Sequence, residues 1–375
     1  MENISRERAN SISATANLAY VFSDKGYVQL QMQNSTDFYK TEYGGYSSFT
    51  SHQTQGMAKL ALLGSWQPSN KFYLGILPGI SIVYRTDHTD DRILETTPTV
   101  SIYTQWYPVE KLFLRLSGGY ATTQPFTSTT ADAMIRQSTL FWFKGNPSLK
   151  SWQQLRGDFT AMYMLADWLT PSVNLFYLRT FHDTCRRYYA ASEAEEGIVE
   201  EYFNAAPEDH IRLSTTLSGN YFNRALTVSL SPTLAYTKTR SSFIGDRTLT
   251  RFYMYGSVGY KIGNFGFDVS YETSQKMISD AGQVTEYRPD RWNFSASYGN
   301  GNLYVSVGID NIFHTTDVRP WLLDSKNYSY DKVLYQTGRS FSVNLTYTFG
   351  YGKKVGQSIK IDMPDGIKSG ASRGL

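Results

Sequence analysis

The chain has 375 residues, with 36 lysines and arginines against 33 aspartates and glutamates, a net charge of +3, and 41% apolar, 15% aromatic and 18% charged residues. That charge is too small to point to nucleic acid, and no apolar run approaches the roughly eighteen residues a membrane-spanning helix needs. The single cysteine, Cys185, excludes an internal disulfide framework and any cysteine-based metal cluster.

The first residues, Met1-Glu2-Asn3-Ile4-Ser5-Arg6-Glu7-Arg8, lack the apolar core of an export signal, so an exported body behind them would imply an incomplete chain. From there to residue 349 the pattern is alternation at period two. It predicts about fifteen strands, near 8–22, 26–40, 48–66, 71–86, 92–107, 112–124, 151–165, 170–182, 208–222, 225–240, 247–262, 265–276, 286–298, 302–313 and 333–349. In the tenth, Leu226, Val228, Leu230, Leu234 and Tyr236 alternate with Thr227, Ser229, Ser231 and Thr233. In the last, Phe341, Val343, Leu345, Tyr347 and Phe349 alternate with Ser342, Asn344, Thr346 and Thr348. Such strands meet a greasy medium on one side and a wet one on the other.

Alternation also occurs in soluble sandwiches; the connections separate the two. Short turns, such as Ser23-Asp24-Lys25-Gly26, Gln67-Pro68-Ser69-Asn70, Asn223-Arg224 and Gly263-Asn264, take turns with longer polar loops at about 41–47, 87–91, 125–148, 183–206, 241–246, 277–285 and 314–332. Short turns at one end and long loops at the other characterise outer-membrane barrels. Trp66, Trp106, Tyr107, Trp168, Phe222 and Tyr298 all stand against short turns, at the depth of an interfacial aromatic girdle. The expected fold class is therefore all-β, an antiparallel transmembrane outer-membrane β-barrel over residues 1–349, followed by a Gly-, Ser- and Lys-rich flexible periplasmic tail, 350–375. The last strand follows a long loop and so descends to the periplasm. Counting back, the first of fifteen also descends, whereas single-chain barrels have an even number of strands. The expectation is a partial barrel, the C-terminal portion of a larger one.

Particular residues then look familiar. Gly145-Asn146-Pro147-Ser148-Leu149-Lys150 resembles the GNPxLKPE segment of TonB-dependent outer-membrane receptors, with Ser151-Trp152 where Pro-Glu is usual. Asp310-Asn311-Ile312-Phe313 resembles a strand end near the C-terminus of the same barrels. Arg339 to Gly350 is similar to their final strand, and Tyr351-Gly352-Lys353-Lys354 to the tail of the Bacteroidetes-type β-barrel branch. The resemblance implies a barrel of about twenty-two strands with a plugged lumen. A plug domain and a TonB-engaging segment would precede Met1. It also implies a chain that is inactive alone and reaches the TonB system only through that missing plug.

The final strand reads as a sorting signal for the barrel-assembly machinery, carried by Phe341, Val343, Leu345, Tyr347 and Phe349. Tyr253, Tyr255, Tyr304 and Asp310 face the lumen by alternation and are candidates for solute contact or for packing against the plug. His52, His88, His182, His210 and His314 show no metal-ligand spacing. Asp87-His88-Thr89-Asp90-Asp91 and the acidic stretch of Glu193, Glu195, Glu196, Glu200 and Glu201 read as solvated loops, the latter able to meet lipopolysaccharide through divalent cations. Cys185, beside Arg186-Arg187, reads as an incidental thiol. No cofactor is expected.

The leading functional reading is uptake of a bulky nutrient, of siderophore, glycan or peptide class, across the outer membrane of a Gram-negative cell. Its partners would be outer-membrane lipid and lipopolysaccharide. A passive porin-like channel of about sixteen strands is the alternative. A barrel enzyme is remote, since His88 with Asp90 is the nearest approach to an acid/base pair and no nucleophile elbow accompanies it.

Overall fold

A computed structural model describes residues 4–44, 48–86, 92–131, 134–191, 197–241, 244–325 and 328–349. The chain first runs up and down through β1 (Ile4–Ser23), β2 (Gly26–Gly44), β3 (Phe49–Ser69), β4 (Phe72–Thr86), β5 (Arg92–Val109) and β6 (Leu112–Thr123). A long connection holds α1 (Thr127–Thr130), β7 (Met134–Arg136) and β8 (Phe141–Lys144), before β9 (Trp152–Tyr163) and β10 (Leu169–Phe181). A second holds the hairpin β11 (Thr184–Ala190) and β12 (Ile198–Asn204). Then come β13 (Glu208–Tyr221), β14 (Leu226–Thr239), β15 (Arg247–Ile262) and β16 (Phe265–Glu272). Loop strands β17 (Gln275–Ser279) and β18 (Val284–Arg288) precede β19 (Arg291–Asn300) and β20 (Leu303–Asp310), and β21 (Thr316–Ser325) and β22 (Tyr328–Thr337) precede β23 (Ser340–Tyr347).

Fifteen strands form one antiparallel sheet in the order β1-β2-β3-β4-β5-β6-β9-β10-β13-β14-β15-β16-β19-β20-β23, an up-and-down wall. These are the fifteen that alternation predicts. The sheet is not closed: β1 and β23 each pair with one neighbour only among the described residues. The other eight strands make two four-stranded sheets, β11-β12-β8-β7 and β17-β18-β21-β22, and every one of them comes from a long connection.

Burial decides between a sandwich and a membrane wall. The apolar face of the wall is open to its surroundings: Leu60, Leu62, Val100, Leu116, Leu175, Leu213, Leu230, Val258 and Val307 are all exposed, and so are Phe341, Val343, Leu345, Tyr347 and Phe349. Most of the buried large apolar residues, among them Trp142, Phe143, Leu149, Tyr188, Val199, Val284 and Leu323, sit instead in the loop elements; on the wall, Tyr39, Tyr43 and Val83 are buried on β2 and β4. A protein that exposes the greasy side of its main sheet and buries its loops is inverted relative to a water-soluble domain, and acyl chains are the medium that covers such a face. Trp66, Trp106, Trp168 and Phe222 are exposed at the short-turn end, where ring pairs Trp66–Phe72 (5.8 Å), Tyr107–Phe113 (5.0 Å), Trp168–Tyr221 (5.2 Å) and Phe265–Tyr298 (5.0 Å) mark one level.

Three expectations need correction. The final strand is shorter than 333–349: Gly338, whose N–H donates to Thr315, separates β22, which belongs to a loop sheet, from β23 in the wall. The thirteenth strand likewise begins at Arg291, because residues 284–288 pair with β17 and β21. The loops at 125–148, 183–206 and 314–332 are not irregular polar segments but carry strands with cores of their own. Asp87–Asp91, Glu193, Glu195, Glu196 and the tail 350–375 lie outside the described residues.

A charge on the lipid side of the wall should therefore be far costlier than one on the other side. Val258→Arg, on the apolar face of β15, should lower unfolding stability in lipid vesicles by about 2–4 kcal/mol. Ser257→Arg, its neighbour on the polar face, should cost well under half of that in the same urea titration.

Candidate functional site

Strand register sorts the second face residue by residue. Opposite residues in an antiparallel pair share a side, so Thr233↔Tyr253, Ser231↔Tyr255 and Ser229↔Ser257 stand together, as do Asp310↔Ser340 and Tyr304↔Thr346. Tyr253, Tyr255, Tyr304 and Asp310 are thus all on the polar face, as alternation predicts. They do not converge, since β16 and β19 separate β15 from β20. Asp310 accepts a hydrogen bond from the Ser340 hydroxyl at 3.1 Å. Tyr253 alone lines a cleft, of about 460 Å³, at the long-loop end of β15.

Hydroxyl pairs tie this face across strands: Ser214–Thr233 at 2.9 Å, Thr216–Ser231 at 3.0 Å and Ser218–Ser229 at 3.4 Å. Asp158 is held by Asn174 at 3.2 Å and faces Arg115 at 3.5 Å. Polar groups partnered in this way can line a wet interior without cost to the strand ladder.

The long connections fold into a cap over the same face. Gln55 donates to the Pro125 carbonyl at 2.7 Å, and Arg85 donates to that of Leu149. Tyr43 and Phe49, at the upper ends of β2 and β3, stack at 4.4 Å and pack with Ala131, Ile135, Phe143 and Tyr202. The segment Gly145 to Lys150 is the fastening. Asn146 closes a turn on Ser148 N–H at 3.0 Å, and its amide donates to the Tyr202 carbonyl at 2.9 Å. Leu149 is fully buried, Lys150 N–H donates to Asn204 at 2.7 Å, and Ser151 N–H donates to Glu95 on β5 at 3.0 Å. A Cβ on Gly145 would run into the Ala131 carbonyl, which is why glycine stands there.

The two loop sheets join one another. Tyr188 of the first packs with Val284 and Leu323 of the second. Arg186 pairs with Asp280 at 2.6 Å, the Gln283 side-chain amide donates to the Arg186 carbonyl at 2.7 Å, and the Gln283 backbone carbonyl accepts from Asp324 N–H at 2.8 Å. Arg187 pairs with Glu201 at 2.7 Å, and Glu200 lies 3.9 Å from Arg186. Glu200 and Glu201 are thus structural ion-pair partners and not part of a solvated acidic loop, which corrects the expectation for these two. Cys185 is buried beside Ala205 and Ala281. Burial, with the charges of Asp183 and Asp280, pushes its thiol well up, so it is inert.

Two further contacts anchor the cap to the wall. Arg247 at the top of β15 reaches Asp324 at 2.5 Å, and Asp317, 1% exposed, receives Arg319 at 2.7 Å and Arg291 of β19 at 2.5 Å. The hydrogen bond from Arg319 and then that from Arg291 hold the Asp317 carboxyl below the ordinary range. Glu200 shifts the other way, since its burial outweighs the pull of Arg186, and burial together with Glu208 raises Asp183. His210 pairs with Glu208 at 2.5 Å and His314 with Asp290 at 3.5 Å. Among the described residues no three metal-ligating side chains gather.

Sequence reasoning missed the cap and its ionic joints. Its strands are three to ten residues long, and Arg186, Asp280 and Gln283 lie 94 and 97 residues apart along the chain. The one available signal was the tight apolar run Phe141-Trp142-Phe143, too greasy for a solvated loop.

No protein-family model matches the sequence, and no curated protein matches it. Solved structures do match in shape. The chain superposes over 92% of its length on a copper transporter, OprC, with a TM-score of 0.71 at 12% identity, spanning 57% of that protein. On the FrpB iron transporter from Neisseria meningitidis the score is 0.61 at 10% identity, with 92% and 55% covered. On the ferric enterobactin receptor PfeA from Pseudomonas aeruginosa it is 0.59 at 13% identity, again with 92% and 55% covered. The chain has the fold of the TonB-dependent receptor barrel. It spans a little over half the length of these receptors. In that barrel fold the apolar face of the wall is the lipid face, and the polar face with its cap lines the lumen.

The opposed pKa shifts give opposed pH responses. The folded pKa of Asp317 is lowered, so its contribution is full at neutral pH and is lost as pH falls below the ordinary aspartate range of about 3.9. Those of Glu200 and Asp183 are raised, so mild acidification protonates them first in the folded state and stabilises β11–β12. Hydrogen exchange corrected for intrinsic rates should show β11–β12 gaining protection as pH falls from neutral towards the ordinary carboxylate range, with β21 unchanged until that range is reached and losing protection below it. Asp317→Asn should abolish the β21 response and weaken that tether by about 1–3 kcal/mol at neutral pH.

Proposed function

We propose that this chain forms the wall and loop cap of an outer-membrane uptake receptor that imports a bulky nutrient, of siderophore, glycan or peptide class, once its barrel is complete. The observation that carries the reading is the cap. Two packed sheets of loop strands lean on lumen residues Gln55 and Arg85 at one side, and through Asp324 and Asp317 they grip β15 and β19 at the other. A passive pore works by leaving its lumen open, whereas a receptor covers its lumen and gates a bound solute. The proteins of similar fold are named as copper and iron transporters and a ferric enterobactin receptor, which supports a transport role over covalent catalysis.

Unpaired edges at β1 and β23 support the reading that further strands complete the ring, since open ladder groups facing acyl chains cost several kcal/mol each. Coupling to the TonB system would come through a plug, and transport would be absent in this chain by itself. The exposed row Phe341, Val343, Leu345 and Tyr347 on edge strand β23, continued by Phe349 just past its end, supports recognition by the barrel-assembly machinery. The lipid-facing wall and its girdle support residence in the outer membrane beside lipopolysaccharide. The tail 350–375 would then be periplasmic.

The chain fused to an export signal should appear in outer-membrane fractions, and Phe349→Ala should slow its assembly several-fold in a pulse-chase. Purified and placed in planar bilayers, it should give no steady conductance. Stable ohmic channels of uniform size would favour a passive pore instead.

A further inference from the structure

The outward, lipid-side face of the wall changes character as β1, β2 and β3 rise towards the long loops, and register puts the changes in one column. Lowest is an apolar groove of about 400 Å³ on this face, where the small side chains of Ala14, Ala16 and Ala58 leave room between Met32, Leu60 and Ile80. Above it comes a polar cluster. The Tyr84 hydroxyl of β4 donates to Asn34 Oδ1 of β2 at 3.2 Å and is also hydrogen-bonded to the Thr36 hydroxyl. To reach β2 the ring lies across β3 over Gly56, where any Cβ would fall within the ring. The Asn34 amide N–H groups have no partner among the described residues.

Higher still the column turns cationic. Arg8, Lys40 and His52 stand opposite one another on β1, β2 and β3, and Arg6 faces Glu42 in the next pair on the same side. Among the described residues Glu42 is the one carboxylate on this part of the face. Lys40 holds it at 2.7 Å, and Arg8 and Arg6 act on it from farther off. Three cations sharing one carboxylate leave the patch positive, and both arginines are exposed.

Depth matches these tiers to the layers of a membrane. Gly26 is paired with Trp66 of the girdle, and at about 3.3 Å per residue and a tilt of about 40° Thr36 lies roughly 25 Å above it and Lys40 about 10 Å higher again. The apolar band of such walls is about 25 Å tall. The groove is therefore among acyl chains, the Tyr84 cluster at their outer boundary and the cations among headgroups. At that boundary an amide donor without an acceptor is costly, and guanidiniums favour forked oxyanions. A zwitterionic lipid would leave the excess charge unmet.

We propose that this column binds one phosphorylated, acylated glycolipid of the outer leaflet. A phosphate would sit on Arg8, Arg6 and Lys40, a linkage carbonyl on the Asn34 amide, and an acyl chain in the groove beside Ala14 and Ala58. The site is on the opposite side of the wall from the lumen and takes no part in the solute path. It goes beyond the uptake reading and rests on it for residence in the outer membrane.

The test is titration of the purified full chain in dodecyl maltoside with lipid A, the bound lipid being counted by native mass spectrometry. Saturable retention of one lipid A is expected, with dephosphorylated lipid A held about tenfold or more weakly and inorganic phosphate unable to displace the lipid. Arg8→Gln with Lys40→Gln should weaken retention about tenfold or more. Ala58→Phe, which fills the groove, should weaken it several-fold, whereas Lys71→Gln, at the short turn between β3 and β4, should leave it unchanged. Should the Ala58 variant fail to fold, Tyr84→Phe keeps the ring over Gly56, removes the hydroxyl and should cost a few-fold. No saturable retention of lipid A, equal retention of the dephosphorylated lipid, or indifference to the Arg8 and Lys40 substitutions overturns the proposal. Displacement by inorganic phosphate also overturns it, in favour of a free-anion site. A chain that retains lipid A yet never enters outer-membrane fractions keeps the site and removes the uptake reading; one that enters them and retains none does the reverse.

Discussion

Everything in this molecule depends on the antiparallel ladder that satisfies the backbone from one strand to the next. Acyl chains offer no hydrogen bonds, so a spanning chain must pair each N–H and C=O internally. Once the ladder does this, side chains are free to answer to two media. Leu230 stands opposite Gly256 and Val228 opposite Val258 on the lipid side, while Ser231 and Tyr255 meet on the other. The loops then have the task that a core has in a soluble domain. Trp142, Phe143, Leu149, Val284 and Leu323 are buried there, away from both lipid and water.

The wall was legible because its signal is local and repeated. A period of two survives in the fifteen strands of the wall, and short turns advertise themselves through residues that tolerate left-handed backbone, such as Gly263 (φ 56°) and Asn223 (φ 54°). Tyr253, Tyr255, Tyr304 and Asp310 could therefore be assigned to a face from sequence alone. Their separation on β15 and β20 could not, because it follows from strand order and not from spacing.

The cap was illegible for the opposite reason. β8 pairs in parallel with β12, from a different connection, and the joint of Arg186, Asp280 and Gln283 unites residues from two distant loops. Nothing in a stretch such as Thr184–Ala190 distinguishes a strand with a remote partner from a polar loop. Glu200 and Glu201 illustrate the error: in the sequence they look like part of an acidic, hydrated segment, and the arginines that neutralise them become apparent only when β11 folds back on β12. The motif Gly145 to Lys150 was recognisable as a resemblance, but its mechanical role follows from its contacts with Ala131, Tyr202, Asn204 and Arg85, and from that of the following Ser151 with Glu95.

The wall is also uneven in height. β1 and β3 run for 20 and 21 residues, whereas β16, β20 and β23 run for 8. On the tall flank the ladder is continuous, and the cap leans against it as against a parapet. On the low flank the pairing of β16 with β19 stops at Glu272 and Arg291, and resumes as β17 with β18 only from Gln275 and Arg288. The two gaps face each other at one level, where Thr273 N–H still donates to the Met254 carbonyl of β15 at 3.0 Å. The rim of the doorway is thus one unbroken ladder on the first flank and two stacked ladders, stitched to β15 between them, on the second.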